Sequence, residues 1–546
     1  MNYKEEYNKW LGFDEQTRSE LLSIKDEKEI EDRFYKNLKF GTGGLRGIMG
    51  AGANRMNKYT VSKATQGLAD YLNNEFSGKK SVAIAFDSRN NSQQFALYCA
   101  EVLARNNIKA YLYMTLQPTP VLSFTVRYLK CTAGIVITAS HNPKEYNGYK
   151  IYDSEGCQLV PEYANKVIKY VEAVEDIGQV GHMSADEAIK AGLLEFIGNE
   201  IVDEFIKEVE KQSIYREKNN LKIVYTPLHG TGNIPVRTVL KDFDVTVEES
   251  QEKPDGNFST VRSPNPEEKD ALDIAIKKAE SIKADLVLGT DPDCDRVGTA
   301  VLHNGEYKLI TGNQMGALLV DFVLSHKKSQ LNSKSTLVKT IVTNSLGADI
   351  AKSFGLKIEE TLTGFKYIGD KINRYEKEGN NEFVIGYEES YGYLVGTHSR
   401  DKDAVVSSMI ICEMAAYHKN NGMTLIDALE KLYSEYGYFL DSLDAFVLKG
   451  KEGSEKINAI MSHLRETGNN ILPDIVCVYD YSQGINGLPR ENVLKFIFKN
   501  GSWIAARPSG TEPKLKIYYS ICSSGREQCK QLLDTYKDYF KKLIED

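Results

Sequence analysis

The chain has 546 residues, 41% hydrophobic and 26% charged, with 68 basic against 76 acidic side chains for a net charge of −8. That length exceeds a single core and reads as three to four domains, while the acidic balance excludes a general nucleic-acid binder, which needs a dominant basic surface. Eight cysteines (99, 131, 157, 294, 412, 477, 522, 529) include no Cys-x-x-Cys pair, so reduced thiols in a cytoplasmic protein are expected rather than a zinc site or a disulfide framework. The polar start Met1–Glu6 and the absence of a run of about 18 apolar residues predict neither a signal peptide nor a membrane span.

Residues 1–36 are charged and helical in pattern, with Trp10, Leu11, Leu21, Leu22, Ile30 and Phe34 as contact points of an arm packed on the first domain. Phe40–Gly47 follows, a Gly-rich stretch without a preceding strand, so it is no dinucleotide fingerprint. It reads as a loop bringing Arg46 and backbone N–H groups to a ligand, or as a plain turn. Next come a helix near 60–76, a strand at 82–86, a turn at Asp87–Ser92, a helix near 93–106, strands near 109–113 and 134–137, and a helix near 162–174. The hydrophilic 175–195 region reads as a loop-rich exit.

A second unit places strands at 222–226, 244–248 and 285–288 around a helix near 267–281. A third holds helices near 313–326, 366–377, 403–418 and 424–435 with strands near 336–342 and 383–385. From about 438 the rhythm changes to strands near 443–448, 475–479, 493–498 and 514–521 ending in a helix near 524–543. The fold class is therefore α/β: three similar mixed α/β domains with largely parallel sheets, plus a C-terminal α+β domain. The expected boundaries are 1–200, 201–306, 307–437 and 438–546.

Four stretches carry candidate chemistry. Thr138-Ala139-Ser140-His141-Asn142-Pro143 follows the apolar run Gly134–Ile137, so a serine is presented where a buried strand ends. It can be a nucleophile, a phosphate carrier or an ordinary turn residue. Asp291-Pro292-Asp293-Cys294-Asp295-Arg296 follows the strand Leu286–Leu288 and sets three carboxylates on one loop. Their mutual repulsion is relieved by a divalent cation, and hard oxygen ligands point to Mg²⁺; the alternative reading is a solvated acidic turn. It is no EF-hand, because Arg296 and Leu302 stand where that loop needs Gly and Glu. Gly386–Gly392 puts Glu388 and Ser390 at another strand's end, two residues apart, which suits vicinal sugar hydroxyls and equally a solvated Glu-rich turn. In Arg507–Lys514, Arg507 can fork onto a phosphate while Ser509, Thr511 and the N–H groups around Gly510 can form an anion-binding concavity; an ordinary turn with two basic neighbours is the alternative.

Together, and in this order, these stretches resemble the α-D-phosphohexomutase family over residues 40 to 520, and Gly41–Gly47 and Thr226–Gly232 resemble its phosphoglucomutase branch. The resemblance implies four domains around a central cleft, a phosphorylated Ser140, and Mg²⁺ held by Asp291, Asp293, Asp295 and an oxygen of the Ser140 phosphate. It implies that Arg46, His141 and Lys150 line the transfer site, with Arg296 close to the sugar. Glu388 and Ser390 would hold the sugar, and Arg507, Ser509, Gly510 and Thr511 the non-reacting phosphate. Where another branch carries a histidine, this chain has Gly392, while Arg400-Asp401-Lys402-Asp403 resembles the glucose-type enzymes and makes Lys402 a candidate acid/base group. The implied reaction interconverts glucose 1-phosphate and glucose 6-phosphate through a 1,6-bisphosphate, with glucose 1,6-bisphosphate as primer and the domain from about 438 swinging as a lid. Phosphomannomutase or phosphopentomutase activity is the alternative on the same scaffold. A Mg²⁺-dependent phosphatase and a non-catalytic sugar-phosphate binder are the rivals from other classes. The expected partner is a small phosphosugar, with no nucleic acid or membrane, in a monomer or homodimer. His229 and His398 are open as site residues.

Overall fold

The strand Ser81–Phe86, buried from Val82 onward, is the centre of the first sheet. It runs parallel to Lys109–Tyr113 on one side and to Ala133–Ile137 on the other. Such fully apolar strands belong in a sheet covered on both faces, and here the helices Lys58–Glu75, Ser92–Arg105, Thr119–Tyr128 and Pro161–Ala173 accompany them. Tyr146–Tyr152 then turns back antiparallel to Ala133–Ile137, and Leu45–Ile48 pairs antiparallel beyond it. Two helices of this layer approach closely at Gly67, where a Cβ would lie 2.5 Å from the Val171 Cα. The computed structural model describes residues 2–448, 450–509 and 514–545.

The second sheet repeats the same order. Lys222–Thr226 lies between Asp244–Val247 and Leu286–Thr290, both parallel to it, and Val297–His303 and Glu306–Ile310 follow antiparallel. In both sheets the third strand ends in a loop singled out for its chemistry: Ala133–Ile137 runs into the serine loop, Leu286–Thr290 into the aspartate loop. The carboxyl ends of parallel strands are where open α/β sheets build their sites.

The chain divides into two compact units, Met1–Ile310 with Phe365–Gly386 and Ser390–Asn420, and Thr311–Gly364 with Tyr387–Glu389 and Asn421–Asp546. In the second unit, helix Gly312–His326 starts from a reciprocal Thr311/Gln314 cap, and strands Ser335–Thr340 and Lys357–Thr361 pair in parallel. Gly316 and Gly347 make room for the Tyr387 ring, since a Cβ at either would lie 2.2 Å from it. The C-terminal strands Tyr438–Val447, Lys514–Ser523, Trp503–Pro508, Leu494–Phe498 and Ile475–Asp480 form an antiparallel sheet in that spatial order. Its core is shared with helices Gly450–Thr467 and Arg526–Glu545.

Several expectations change. The 175–195 region is loop up to Ser184 apart from the turn Ile177–Gln179, but it is no exit: it then holds the helix Ala185–Lys190 and leads into the strand Leu194–Ile197, which extends the first sheet. That strand has four residues with its two middle ones exposed, so its composition hides it. Helices Thr119–Tyr128, Leu346–Ser353 and Gly450–Thr467 and the strand Trp503–Pro508 had not been assigned. In the arm, Trp10, Leu21 and Phe34 are fully buried, but Leu22 is 59% exposed. The inward face of Glu15–Ser23 is set by Thr17 and Leu21, four apart, and Leu22 lies a third of a turn away. Among the described residues no helix is long and apolar enough to cross a membrane.

Candidate active site

Ser140 sits at the tip of the loop after Ala133–Ile137 in a left-handed backbone conformation, φ +50°. Its N–H donates to Thr138 Oγ1 at 2.8 Å, and its hydroxyl donates to Asp291 Oδ2 at 2.6 Å. Its Oγ is also 3.1 Å from His141 Nδ1. Burial, then Arg296 and Arg46, push the His141 pKa well below the usual imidazole range and keep the ring neutral. Arg46, on the short strand Leu45–Ile48, reaches the same loop with Nη1 donating to Asn142 Oδ1 at 3.2 Å. In the Gly-rich segment before it, the N–H groups of Gly41 and Gly44 bond each other's carbonyls at 2.9 Å, so these two serve the turn and not a ligand. Gly44, at φ +105°, lies so close to Tyr149 that a Cβ would come within 1.8 Å of its carbonyl oxygen.

The aspartate loop is buried from Asp291 to Asp295. Asp291 Oδ1 accepts the N–H groups of Asp295 and Arg296, both at 3.0 Å, which curls the loop back on its first carboxylate. Asp293 Oδ2 accepts from Lys150 Nζ at 2.9 Å and from the Thr119 hydroxyl at 3.1 Å. Asp295 Oδ2 pairs with Lys402 Nζ at 3.0 Å and with Lys150 Nζ at 3.6 Å. One oxygen from each aspartate lies within 4.8 Å of the others. Burial and the two neighbouring carboxylates raise the Asp291 pKa well above the carboxylate range, whereas at Asp293 the Lys150 ammonium outweighs burial and holds it low. For Lys150 burial works against the charge, but Asp293 and Asp295 prevail and raise its pKa. Asp293 Oδ1 and Asp295 Oδ1 are buried and accept no hydrogen bond from the described residues. A bare cluster of this kind is costly, and a hard divalent cation fits the oxygens it presents.

Lys402 reaches Asp295 from a loop built for rigidity. Arg127 Nη1 donates to the Thr397 and His398 carbonyls at 2.8 and 3.3 Å. Arg400, fully buried, sends Nε to Asn373 Oδ1 at 2.6 Å and Nη1 to the Ser399 carbonyl at 3.2 Å. Asp401 takes the Tyr152 hydroxyl at 2.6 Å on one oxygen and Lys402 Nζ at 3.2 Å on the other. His398 Nε2 lies 2.7 Å from Asp403, whose other oxygen caps helix Ala404–Asn420 through the N–H groups of Val405 and Val406. His398 is thus a loop anchor. So is His229, whose nitrogens meet the Lys253 carbonyl and the Thr260 hydroxyl. Arg296 is engaged by Glu267 and lies 3.8 Å from Asp295.

Ser140, His141, Arg46, Lys150, Arg296, Lys402 and the three aspartates all fall in the first unit, as does Ser390. Glu388 and Arg507 belong to the second. There, Glu388 is buried and accepts the Gly364 N–H at 2.8 Å, and Glu389 takes the Thr340 and Thr343 hydroxyls at 3.3 and 3.4 Å. Arg507 Nε donates to Glu491 Oε1 at 3.0 Å. The Ser509 N–H donates to the Lys514 carbonyl at 2.7 Å, closing the stem of its loop. Gly510 and Thr511 lie outside the described residues. Sequence reasoning missed Arg89, Thr119 and Tyr152; Arg89 alone stood in a stretch already marked, the Asp87–Ser92 turn.

Comparison with known proteins places the chain. Residues 37–177, 203–305 and 311–436 match the phosphoglucomutase/phosphomannomutase alpha/beta/alpha domains I, II and III, and 451–529 match the C-terminal domain. A phosphoglucomutase of Staphylococcus haemolyticus is 37% identical over 523 residues, 93% of this chain and 94% of that one. One of Staphylococcus aureus is 38% identical over 517 residues, covering 91% and 92%. Among solved structures, the Paramecium exocytosis-sensitive phosphoprotein pp63/parafusin aligns with a TM-score of 0.70 at 18% identity, over 94% of this chain and 95% of that one. A phosphoglucomutase/phosphomannomutase family protein of Burkholderia thailandensis gives 0.68 at 16%, covering 91% and 96%. At those identities the likeness is one of fold.

Proposed function

The chain belongs to the phosphoglucomutase/phosphomannomutase family, and from that premise we propose that it interconverts α-D-glucose 1-phosphate and glucose 6-phosphate, with Ser140 as the phosphoryl carrier. The observation carrying this reading is the 2.6 Å hydrogen bond from the Ser140 hydroxyl to Asp291, first of three buried aspartates. A serine there is held against the carboxyl of Asp291 and, after phosphorylation, brings a charge for a cation to balance. The relatives' shared name favours glucose over mannose or a pentose.

Asp291, Asp293 and Asp295 would hold Mg²⁺, joined by an oxygen of the Ser140 phosphate. When bound, the ion would neutralise charge developing on the phosphoryl group. Transfer then rests on positioning and electrostatics. The sugar 6-hydroxyl oxygen bonds to phosphorus as the P–Oγ bond of Ser140 breaks, and the proton the hydroxyl gives up is matched by the one Ser140 Oγ takes; Lys402, ion-paired with Asp295 and Asp401, is the candidate acid/base group for that exchange. Arg46, His141 and Lys150 line the transferring group, and Arg296 lies towards the sugar. Glu388 and Ser390 take vicinal hydroxyls, while Arg507, Ser509, Gly510 and Thr511 hold the other phosphate. The resulting 1,6-bisphosphate turns over and returns its second phosphoryl group to Ser140, so added glucose 1,6-bisphosphate primes unphosphorylated enzyme. Segments 1–200, 201–306, 307–437 and 438–546 would each contribute one of these loops. Eight unpaired cysteines suit a reducing cytoplasm.

Two measurements decide it. Ser140→Ala should lose at least 1000-fold in kcat and fail to gain a phosphoryl group by intact-protein mass spectrometry; near-wild-type turnover refutes the carrier role. EDTA should abolish activity and Mg²⁺ restore it; full activity after exhaustive chelation removes the metal assignment.

A further inference from the structure

A left-handed serine needs something to hold it there, because a Cβ makes that conformation cost on the order of 1 kcal/mol. Ser140, at φ +50°, gets no such hold from its own strand, which ends at Ile137. The hold comes from Arg89. One guanidinium nitrogen donates to the carbonyls of Ser140 and Asn142, and the other to those of Pro143 and Tyr146 at 2.9 and 3.0 Å. Four carbonyls of one loop are thus gathered on a single planar fork, a geometry that only arginine offers.

Arg89 is itself fixed on two sides. Its Nε lies 3.3 Å from Asp87 Oδ2, with both side chains wholly inaccessible. Asp87 is held in turn by the Ser92 hydroxyl at 2.7 Å and the Arg89 N–H at 2.9 Å. Against the guanidinium stands the Phe258 ring, 4.9 Å from its central carbon. Phe258 comes from the segment after Asp244–Val247, in the sequence Pro254-Asp255-Gly256-Asn257-Phe258. That segment touches the serine loop again, where the Ser263 hydroxyl donates to the His141 carbonyl at 2.9 Å. It touches the Arg89 turn too: Asn90 bonds Asn257 at 3.0 Å, and a Cβ on Gly256 would lie 2.4 Å from Asn90.

We propose that Arg89 and Phe258 are positioning residues of the phosphoryl-transfer step: the guanidinium, pressed between Asp87 and the Phe258 ring, locks the serine loop in the one conformation that points the Ser140 hydroxyl at Asp291. This rests on Ser140 as the carrier. Neither side chain touches the sugar in that reading, so their loss falls on transfer and not on substrate capture.

The test uses the full chain with Mg²⁺ and glucose 1,6-bisphosphate. Arg89→Lys keeps the charge and loses the fork; it should lower kcat 30-fold or more while KM for glucose 1-phosphate stays within twofold. Phe258→Leu keeps apolar bulk without a ring face and should lower kcat three- to tenfold, with Phe258→Tyr restoring it. Phosphoryl occupancy at residue 140 should fall in the same order. Wild-type kcat in Phe258→Leu, or KM rising in step with the fall in kcat, overturns the proposal. Phe258→Leu decides the matter even if Arg89→Lys does not fold. Ser140→Ala run alongside separates the failures: an active Ser140→Ala sinks the carrier reading, whereas an inactive one beside an unimpaired Phe258→Leu sinks this inference alone.

Discussion

Gly392 shows how a residue that looks missing can be a residue making room. In sequence, its place is where another branch of the family has a histidine. In space, a Cβ at 392 would lie 2.1 Å from Lys402 Cδ and 2.7 Å from Cγ. The lysine stem therefore runs across the glycine on its way to Asp295 and Asp401. Gly392→Ala should push that stem aside and cost about 1.4 kcal/mol in the transition state, roughly tenfold in kcat. Because the displaced atoms belong to a flexible side chain, the melting temperature should move by less than about 2 °C, which corresponds to under 1 kcal/mol. Steady-state kinetics and a thermal melt on one preparation check both; an unchanged kcat would mean that Lys402 needs no such path. The aspartate trio was legible without coordinates, because three carboxylates at alternate positions on one short loop have few other uses. Arg89 was not, because its signal is four carbonyls spread over residues 140–146 and a ring at 258, which no local pattern collects.

Elements were legible where periodicity was long and failed where it was short. The helix Lys58–Glu75 and the strand Ser81–Phe86 stand within two residues of expectation, since one shows an inward stripe and the other an unbroken apolar run. Leu194–Ile197 and Lys357–Thr361 were missed, because short strands with few buried residues carry little pattern. The loop at 397–403 teaches something different. Its motif was read for Lys402 alone, yet Arg400 beside it is 0% exposed and ties the loop to Asn373, Glu376 and its own carbonyls. Arg400→Lys would leave several of those acceptors without a donor, each a loss of about 1–3 kcal/mol where water does not reach. The expected result is a net destabilisation of about 3 kcal/mol with kcat falling more than KM changes, since the same loop aims Lys402. Urea unfolding with parallel kinetics would show it; unaltered stability would mean that Arg400 is not what pins this loop.

For the molecule as a whole, the net charge of −8 says little about pH response, because the response belongs to particular buried groups. One set in the second unit is well placed to dominate. Glu360 Oε1 lies 2.8 Å from Lys339 Nζ and 3.7 Å from Lys495 Nζ, and the Lys495 ammonium stands 4.6 Å from the centre of the Trp503 ring. Burial pushes the Glu360 carboxyl up, but the two lysines outweigh it and bring it down to about 2. A carboxyl lowered in the folded state adds stability above its unfolded value, near 4.5, and that stability is lost as pH falls from there towards 2. The side chain is 37% exposed, so solvent screening limits the gain to about 1 kcal/mol. Lys495 acts at the other end. Burial lowers it to about 8, so its charged form opposes folding below pH 8, and the opposition fades as pH rises from 8 to 10.5. That relief is on the order of 2 kcal/mol, or about 4–8 °C for a unit of this size. Of the two tryptophans, Trp10 lies in the first unit and Trp503 in the second, so Trp10→Phe leaves Trp503 fluorescence to report this unit. Its melting temperature should rise between pH 8 and 10.5 and fall below pH 4.5. Lys495→Met should abolish the alkaline rise, and Glu360→Gln should lower the neutral-pH melt by stranding two buried ammonium groups. An alkaline rise that survives Lys495→Met would assign the effect to some other group.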